Sequence, residues 1–393
     1  MARRRTAAGP HREVRLSVSI PYGRQSISQE DIAAVVDVMG TDWLTMGPVV
    51  SNFEAAVAKL AHTPGATAVS SGTSALHCAY AALGIGAGDE VVTSPLTFVA
   101  TASTAIAQGA SVVFADVQSD TGNIDPDAVA AAVSSKTRVI AGVDYAGHPV
   151  DADELGAIAK SAGAYFLEDA AHSIASTYRG RPVGSLADVT AFSFFPTKNM
   201  TTGEGGAVVS PDASIVERAR RFRSHGLVRD KADQRYPNEG PWHQEVHEFG
   251  LNYRLPDVLA AIGLSQIQRI EKFKAQRASI FDRYTEELAD VDGLILPTKR
   301  DYVDPMWHLY PIRVLGGRRR EVFDYMREHG VLVQVNYIPA YWHPAFEDLG
   351  YQRGMCPSAE LFYEQEISLP MYADLTSDQV SRVIEVLRGA LSQ

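Results

Sequence analysis

Between about residues 65 and 210, short apolar runs rich in β-formers alternate with alanine-rich stretches. EVVTSPL, SVVFADV, RVIAGVDY, AYFLEDA, VTAFSFF and GGAVVS read as strands. TSALHCAYAAL, VATASTAIAQ, PDAVAAAV and ADELGAIAKSAG, lying between the earlier ones, read as helices. Such alternation predicts an α/β fold, a mostly parallel sheet with helices on both faces. The stretch 227–250 is polar and aperiodic and reads as a long loop. From about 255 to 290 one long helical pattern runs through LAAIGLSQIQRIEKFKAQRASIFDRYTEEL, with Lys272 and Lys274 expected on a solvated face. Two strands, WHLYPIRV and VLVQVNYI, and two helices, EVFDYMREHG and SDQVSRVIEVLRGAL, then predict a small α+β C-terminal domain. The expected division is an N-terminal arm over 1–25, partly disordered, a large domain over 26–262 and the small domain over 263–393.

Composition narrows the class. With 46% hydrophobic and 21% charged residues the chain has the balance of an ordinary globular protein, and 393 residues suffice for a sizeable core. A net charge of −11 argues against a nucleic-acid partner. Two cysteines, Cys78 and Cys356, build no disulfide framework and suggest a reducing compartment, the cytoplasm. No apolar run is long enough to span a membrane. The basic start, MARRRTAAGPHREVR, has no apolar segment behind it and reads as a frayed polar tail, not a signal peptide.

Chemistry enters with Lys198, which follows the strand VTAFSFF, and Asp169, which ends AYFLED. Parallel sheets bind ligands at the carboxyl ends of their strands, so both residues map to the ligand edge. A lysine amine and a nearby acid are what pyridoxal phosphate (PLP) needs: the amine forms a Schiff base, and the acid keeps the ring nitrogen protonated. SSGTSALHCAYAAL supplies a phosphate cradle or an ordinary helix cap: Gly72 permits close approach, and Ser71, Thr73 and Ser74 lie at a helix start. Ser193 could add a hydroxyl, and Phe98 is either a stacking ring or a core residue.

These residues sit in motifs that resemble the DegT/DnrJ/EryC1/StrS family of PLP-dependent sugar aminotransferases. The matching stretches are TDWLTMGPVVSNFE (41–54), SSGTSAL (70–76), TFVAT (97–101), VDYAGHPVD (143–151), EDAAHS (168–173), SFFPTKNMTTGEGG (193–206), GLNYRLPDVLAAIG (250–263) and ISLPMY (367–372). The resemblance implies the aspartate-aminotransferase-like fold, PLP fold type I, and a homodimer with active sites at the interface. It makes Lys198 the Schiff-base lysine and Asp169 the ring-nitrogen partner. His172 would meet the cofactor's phenolic oxygen. Gly72, Thr73 and Ser193 would hold the phosphate, Phe98 would stack, and Asn252 would reach the phosphate in the partner subunit. It implies transfer of an amino group from glutamate to a nucleotide-linked keto-sugar, with FPTKNMTTGEGG, VDYAGHPVD and VQVNYIPAYWHPAF pointing to C4 of a 4-keto-6-deoxyhexose. Amination at C3 or of a keto-inositol are the alternatives. A PLP-binding regulator without turnover is the reading from another class, and intact Lys198, Asp169 and His172 speak against it. Substrate-side candidates are Thr45, Tyr253, Arg254, His308, Asn336, Tyr337 and His343. At position 336 many relatives carry histidine, and this chain carries asparagine.

Two other signals are discounted. LGIGAG follows a helix and precedes a strand, the reverse of a dinucleotide fingerprint. His243, Glu245 and His247 lie in a loop-like segment with no third metal ligand of the usual spacing, so no metal is expected.

Overall fold

The structure, a computed structural model, describes residues 19–393. Most of the expected N-terminal arm lies outside these residues.

Seven strands form the central sheet: β1 (Ala66–Val69), β2 (Glu90–Thr93), β3 (Ser111–Phe114), β4 (Thr137–Val143), β5 (Tyr165–Asp169), β6 (Val189–Ser193) and β7 (Gly206–Val209). Their spatial order is β1-β7-β6-β5-β4-β2-β3. β7 runs antiparallel to β1 and β6, and the other pairings are parallel. β1, β7 and most of β2, β4, β5 and β6 are buried on both faces, which is why they read as continuous apolar runs. Helices pack over this sheet, giving the α/β architecture that the alternation predicts. Register does the positioning. Asp169 pairs with Val143 and Ala191, and Gly206 pairs with both Ser193 and Val69. The carboxyl ends of β5 and β6 and the chain leaving β1 therefore meet at one edge. Gly206 permits that approach, because a Cβ there would lie 2.5 Å from the Ser71 carbonyl oxygen.

Helix α1 (Gln29–Met39) and helix α2 (Pro48–Leu60) pack against helix α8 (Asp257–Ile267). The Asp257 carboxylate accepts from the amides of Gly47, Val49 and Val50 at 2.8, 3.0 and 3.3 Å. It thus caps α2, which has no side-chain cap of its own.

The long helical pattern over 255–290 is two helices, α8 and α9 (Ile270–Leu288). Gln268 and Arg269 make tight turn bonds to Ser265 and Gln266 instead of continuing the helix. The break faces a buried acid: Asp31 accepts from Ser265 Oγ at 2.6 Å, Gln266 Nε2 at 2.7 Å and Arg269 Nη2 at 2.5 Å. Lys274 is not solvated as expected. Its amine donates to the Ala175 carbonyl at 2.8 Å and pairs with Asp304 at 2.7 Å.

The C-terminal part holds a three-stranded antiparallel sheet of Leu294–Ile295, Tyr310–Val314 and Glu366–Leu369. Helix Ser377–Leu391 covers it, started by a capping box between Thr376 and Gln379. Val380, Val383, Ile384 and Leu387 recur at helical spacing and are buried, each contributing about 1.5–3 kcal/mol. The predicted strand VLVQVNYI is regular only at Val331–Leu332, which pair in parallel with Ile20–Pro21. The remainder bridges the three-stranded sheet at Gln334 and Ser368, and carries Asn336 and Tyr337 to the central cavity. Among the described residues no helix is long and apolar enough to cross a membrane.

The segment 227–250 folds back through a short antiparallel pair, Leu227–Val228 with Glu245–Val246. The Glu245 carboxylate accepts from the amides of Arg235 and Tyr236, at 2.7 and 2.6 Å. It also meets the imidazoles of His243 and His247, at 3.1 and 2.5 Å. Glu245 therefore ties this segment to itself, and its carboxyl is held down at about 2.

Candidate active site

A cavity of about 420 Å³ opens at the edge where β5 and β6 end. Lys198 reaches it from a loop pinned at both ends, with Phe194 N–H donating to Gly205 and Thr202 N–H donating to Phe194. Asn199 anchors the middle through the Met306 carbonyl at 2.7 Å. Burial pulls the Lys198 ammonium down to about 8, and the Asp169 carboxylate opposes the pull.

Asp169 is buried at the end of β5. Thr101 Oγ1 donates to its Oδ2 at 2.6 Å, and Ala171 N–H donates to its Oδ1 at 3.2 Å. Burial raises its carboxyl above the usual range, while Thr101, Ala171 and Lys198 hold it back. His172 Nε2 lies 3.1 Å from the Tyr337 hydroxyl. The His172 and His308 rings stand 4.3 Å apart. Burial drives both imidazoles well below their ordinary range, and Lys198 lowers both further. Both rings are therefore neutral near pH 7.

On another wall, helix α3 (Gly72–Ala82) points its first turn at the cavity. Ser71 caps it by accepting from Ser74 N–H at 3.0 Å. The first amides of a helix have no intrahelical acceptor, so Gly72 and Thr73 offer theirs to an anion. A Cβ on Gly72 would lie 2.7 Å from Ser193 Cβ, so only glycine lets the helix start and Ser193 share this corner. Ser74, whose hydroxyl meets Ser70 and Ser71, serves the cap and does not line the cavity. Phe98, more than half exposed, lines the mouth, with its ring edge-on to Tyr337.

The cavity thus brings together Lys198, Asp169, His172, Gly72, Thr73, Ser193, Phe98, His308, Asn336 and Tyr337. It does not include Thr45, Asn252, Tyr253, Arg254 or His343. Thr45 and Asn252 are exposed, bridged to Pro256 and Ser224. Tyr253 spends its hydroxyl on His77 at 3.0 Å, Arg254 bridges Val69, and His343 caps the short helix Pro344–Glu347. Sequence reasoning missed Tyr22, Thr97, Phe195 and Glu204 in the lining, and Thr101 behind Asp169. Thr101 was findable: it closes the motif TFVAT that Thr97 opens, and the two hydroxyls bond at 2.7 Å. Tyr22 leaves no such mark, because it arrives through a backbone contact with distant Met371.

An anion-binding helix start, a buried acid, a lysine with a lowered pKa and an aromatic lid suit a flat, phosphorylated aldehyde cofactor. The buried Nδ1 of His172, which meets no protein group among the described residues, leaves it a polar contact.

Comparison with known proteins agrees with this geometry. The profile of the DegT/DnrJ/EryC1/StrS aminotransferase family matches residues 25–388. The chain is 38% identical to the spore coat polysaccharide biosynthesis protein SpsC of Bacillus subtilis, over 94% of this chain and 96% of that one. It is 34% identical to the UDP-4-amino-4,6-dideoxy-N-acetyl-beta-L-altrosamine transaminase of Campylobacter jejuni, over 95% and 98%. Spr1654 of Streptococcus pneumoniae, solved in a PLP form and a pyridoxamine phosphate form, superposes on it. The pyridoxamine form gives a TM-score of 0.89 at 29% identity, over 95% of this chain and 99% of that one.

Proposed function

Since the chain belongs to the DegT/DnrJ/EryC1/StrS aminotransferase family, whose enzymes use PLP, we propose that it moves the amino group of glutamate onto C4 of a nucleotide-linked 4-keto-6-deoxyhexose. The observation that carries the C4 reading is the likeness to a transaminase named for a nucleotide-linked 4-amino-4,6-dideoxy sugar.

The cofactor, when bound, supplies an electron sink for the carbon that loses a proton. The chain does the rest. Lys198, with its amine at about 8, keeps roughly a tenth of its population as free base at pH 7. Lys198 Nζ would hold the cofactor and, once released as free base, would take up the proton that the donor's α-carbon loses. Asp169, fixed by Thr101 and Ala171, would keep a proton on the ring nitrogen of a bound cofactor. Neutral His172 and His308 add no positive charge beside Lys198. Phe98, Phe195, Tyr22 and Tyr337 give the cavity apolar walls that thin out water. Among the described residues of the lining, Lys198 is the only lysine or arginine. The donor carboxylate and the nucleotide diphosphate need more cation than that. This shortfall supports a homodimer in which Asn252 and Arg254 of a second copy complete the site. Exposed Phe249, Leu251, Trp43, Leu44 and Met46 flank Asn252 and Thr45 in sequence and offer apolar surface for such a contact.

The test is direct. Purified protein should show a visible cofactor band, and borohydride should fix the cofactor on Lys198. Glutamate should discharge the band. Nucleotide-linked 3-keto and 4-keto sugars should then be compared, with the product identified by NMR. A product carrying nitrogen at C3, or turnover only with a keto-inositol, sinks the C4 reading. A band that glutamate leaves intact sinks the donor assignment.

A further inference from the structure

Behind the cavity wall lies a buried acid that the chemistry above does not use. Glu366 opens the last strand of the C-terminal sheet and is fully buried. Its Oε2 accepts from the Asn336 amide at 2.7 Å, and its Oε1 lies 2.5 Å from Ser368 Oγ. Ser368 Oγ accepts from Asn336 Nδ2 at 3.0 Å. The Tyr145 hydroxyl donates to the Asn336 carbonyl. The main-chain N–H and C=O of Asn336 and its side-chain amide are thus all held from behind. Its neighbour Tyr337 carries the hydroxyl that meets His172 in the cavity.

We propose that Glu366 is a positioning residue of the cofactor site: by holding Asn336 together with Ser368, it sets the Tyr337 hydroxyl against His172. The proposal rests on the reading of this cavity as the cofactor site. An acid buried with no salt-bridge partner among the described residues is an expensive way to fill space, and an alkyl side chain would pack there at lower cost if packing were its only role. The groups facing it are Asn336, Ser368, Tyr145 and Tyr337, with Arg319 of the neighbouring helix Arg319–Glu328 acting at longer range. Burial pushes the carboxyl up to about 8, against the pull of Ser368, Asn336 and Arg319. At pH 7 it is therefore mostly a neutral acid, able to donate to Ser368 while accepting from Asn336. Glutamine can do the same, and alanine cannot.

The experiment uses PLP-loaded protein and two readouts apart from turnover: the cofactor dissociation constant and the pH midpoint of the visible band. E366A and S368A should each weaken cofactor binding by about tenfold and displace the midpoint. Y337F should displace it in the same sense, and E366A/Y337F should move it no further than the larger single change. E366Q should stay close to wild type in both. If E366A does not fold, the S368A/Y337F cycle decides in its place. Lower thermal stability with an unmoved midpoint and affinity would make Glu366 a structural residue and overturn the proposal, as would additive effects in the double variant. A wild-type protein with no visible band overturns the cofactor reading and this proposal with it.

Discussion

At Lys198 two effects compete: burial strips its ammonium of water, and Asp169 pulls the charge back. Burial wins, so the rate at which glutamate converts the cofactor should climb with pH, reach half its maximum near pH 8 and level off above it, as the amine becomes free base. Stopped-flow decay of the visible band measures it, and a rate that falls over pH 6–8 would contradict the role. K198A should lose borohydride trapping and at least about 10³-fold in rate. Glu366 gives a second pH signature, of opposite sign. Its folded pKa lies above the ordinary carboxyl value, so between about 4.5 and 8 the folded state holds more protons than the unfolded one. Its contribution to stability is full below that window and is lost as pH rises through it. Urea midpoints should therefore fall more for wild type than for E366Q between pH 5 and 8.5. Lys198 and Asp169 were legible because their chemistry needs those residue types at strand ends. Glu366 was not, since nothing in QEISLP distinguishes a buried acid from a surface one until the fold encloses it.

Elements show the same division. Runs such as VVTS and VIAGV were legible as strands because burial on both faces leaves a continuous apolar signal. The break between α8 and α9 was not, for the periodicity runs through it, and only a distant acid, Asp31, shows why the chain turns there. The cap of α2 is likewise non-local. Asp257 serves three amides more than 200 residues away in sequence, and Gly47 and Pro48 give no hint of it. D257A should leave those donors unmet at the buried end of α2 and cost about 2–3 kcal/mol. Denaturant unfolding measures this. A change below about 0.5 kcal/mol, the usual range of surface substitutions, would mean that water replaces the carboxylate there.

On the scale of the whole molecule, one cation among the described lining residues and an exposed Asn252 support the proposed shared site. Subunit mixing tests this. N252A and K198A proteins, each nearly inactive, should regain about a quarter of wild-type activity after joint unfolding and refolding, because half the dimers then carry one intact site. No recovery would place each site within one chain. The family motifs imply such sharing, and the single chain supplies only the shortfall that supports it. The parallel pairing of Ile20–Pro21 with Val331–Leu332 has its own consequence, one of timing. On the ribosome the first described strand has no partner until Val331 and Leu332 appear, a wait of roughly 15–60 s at usual elongation rates. Tyr22 follows that strand directly and lines the cavity, so the nascent site should stay open on one side until those residues emerge. Cofactor capture should therefore follow the docking of the first described strand on Val331–Leu332 rather than precede it.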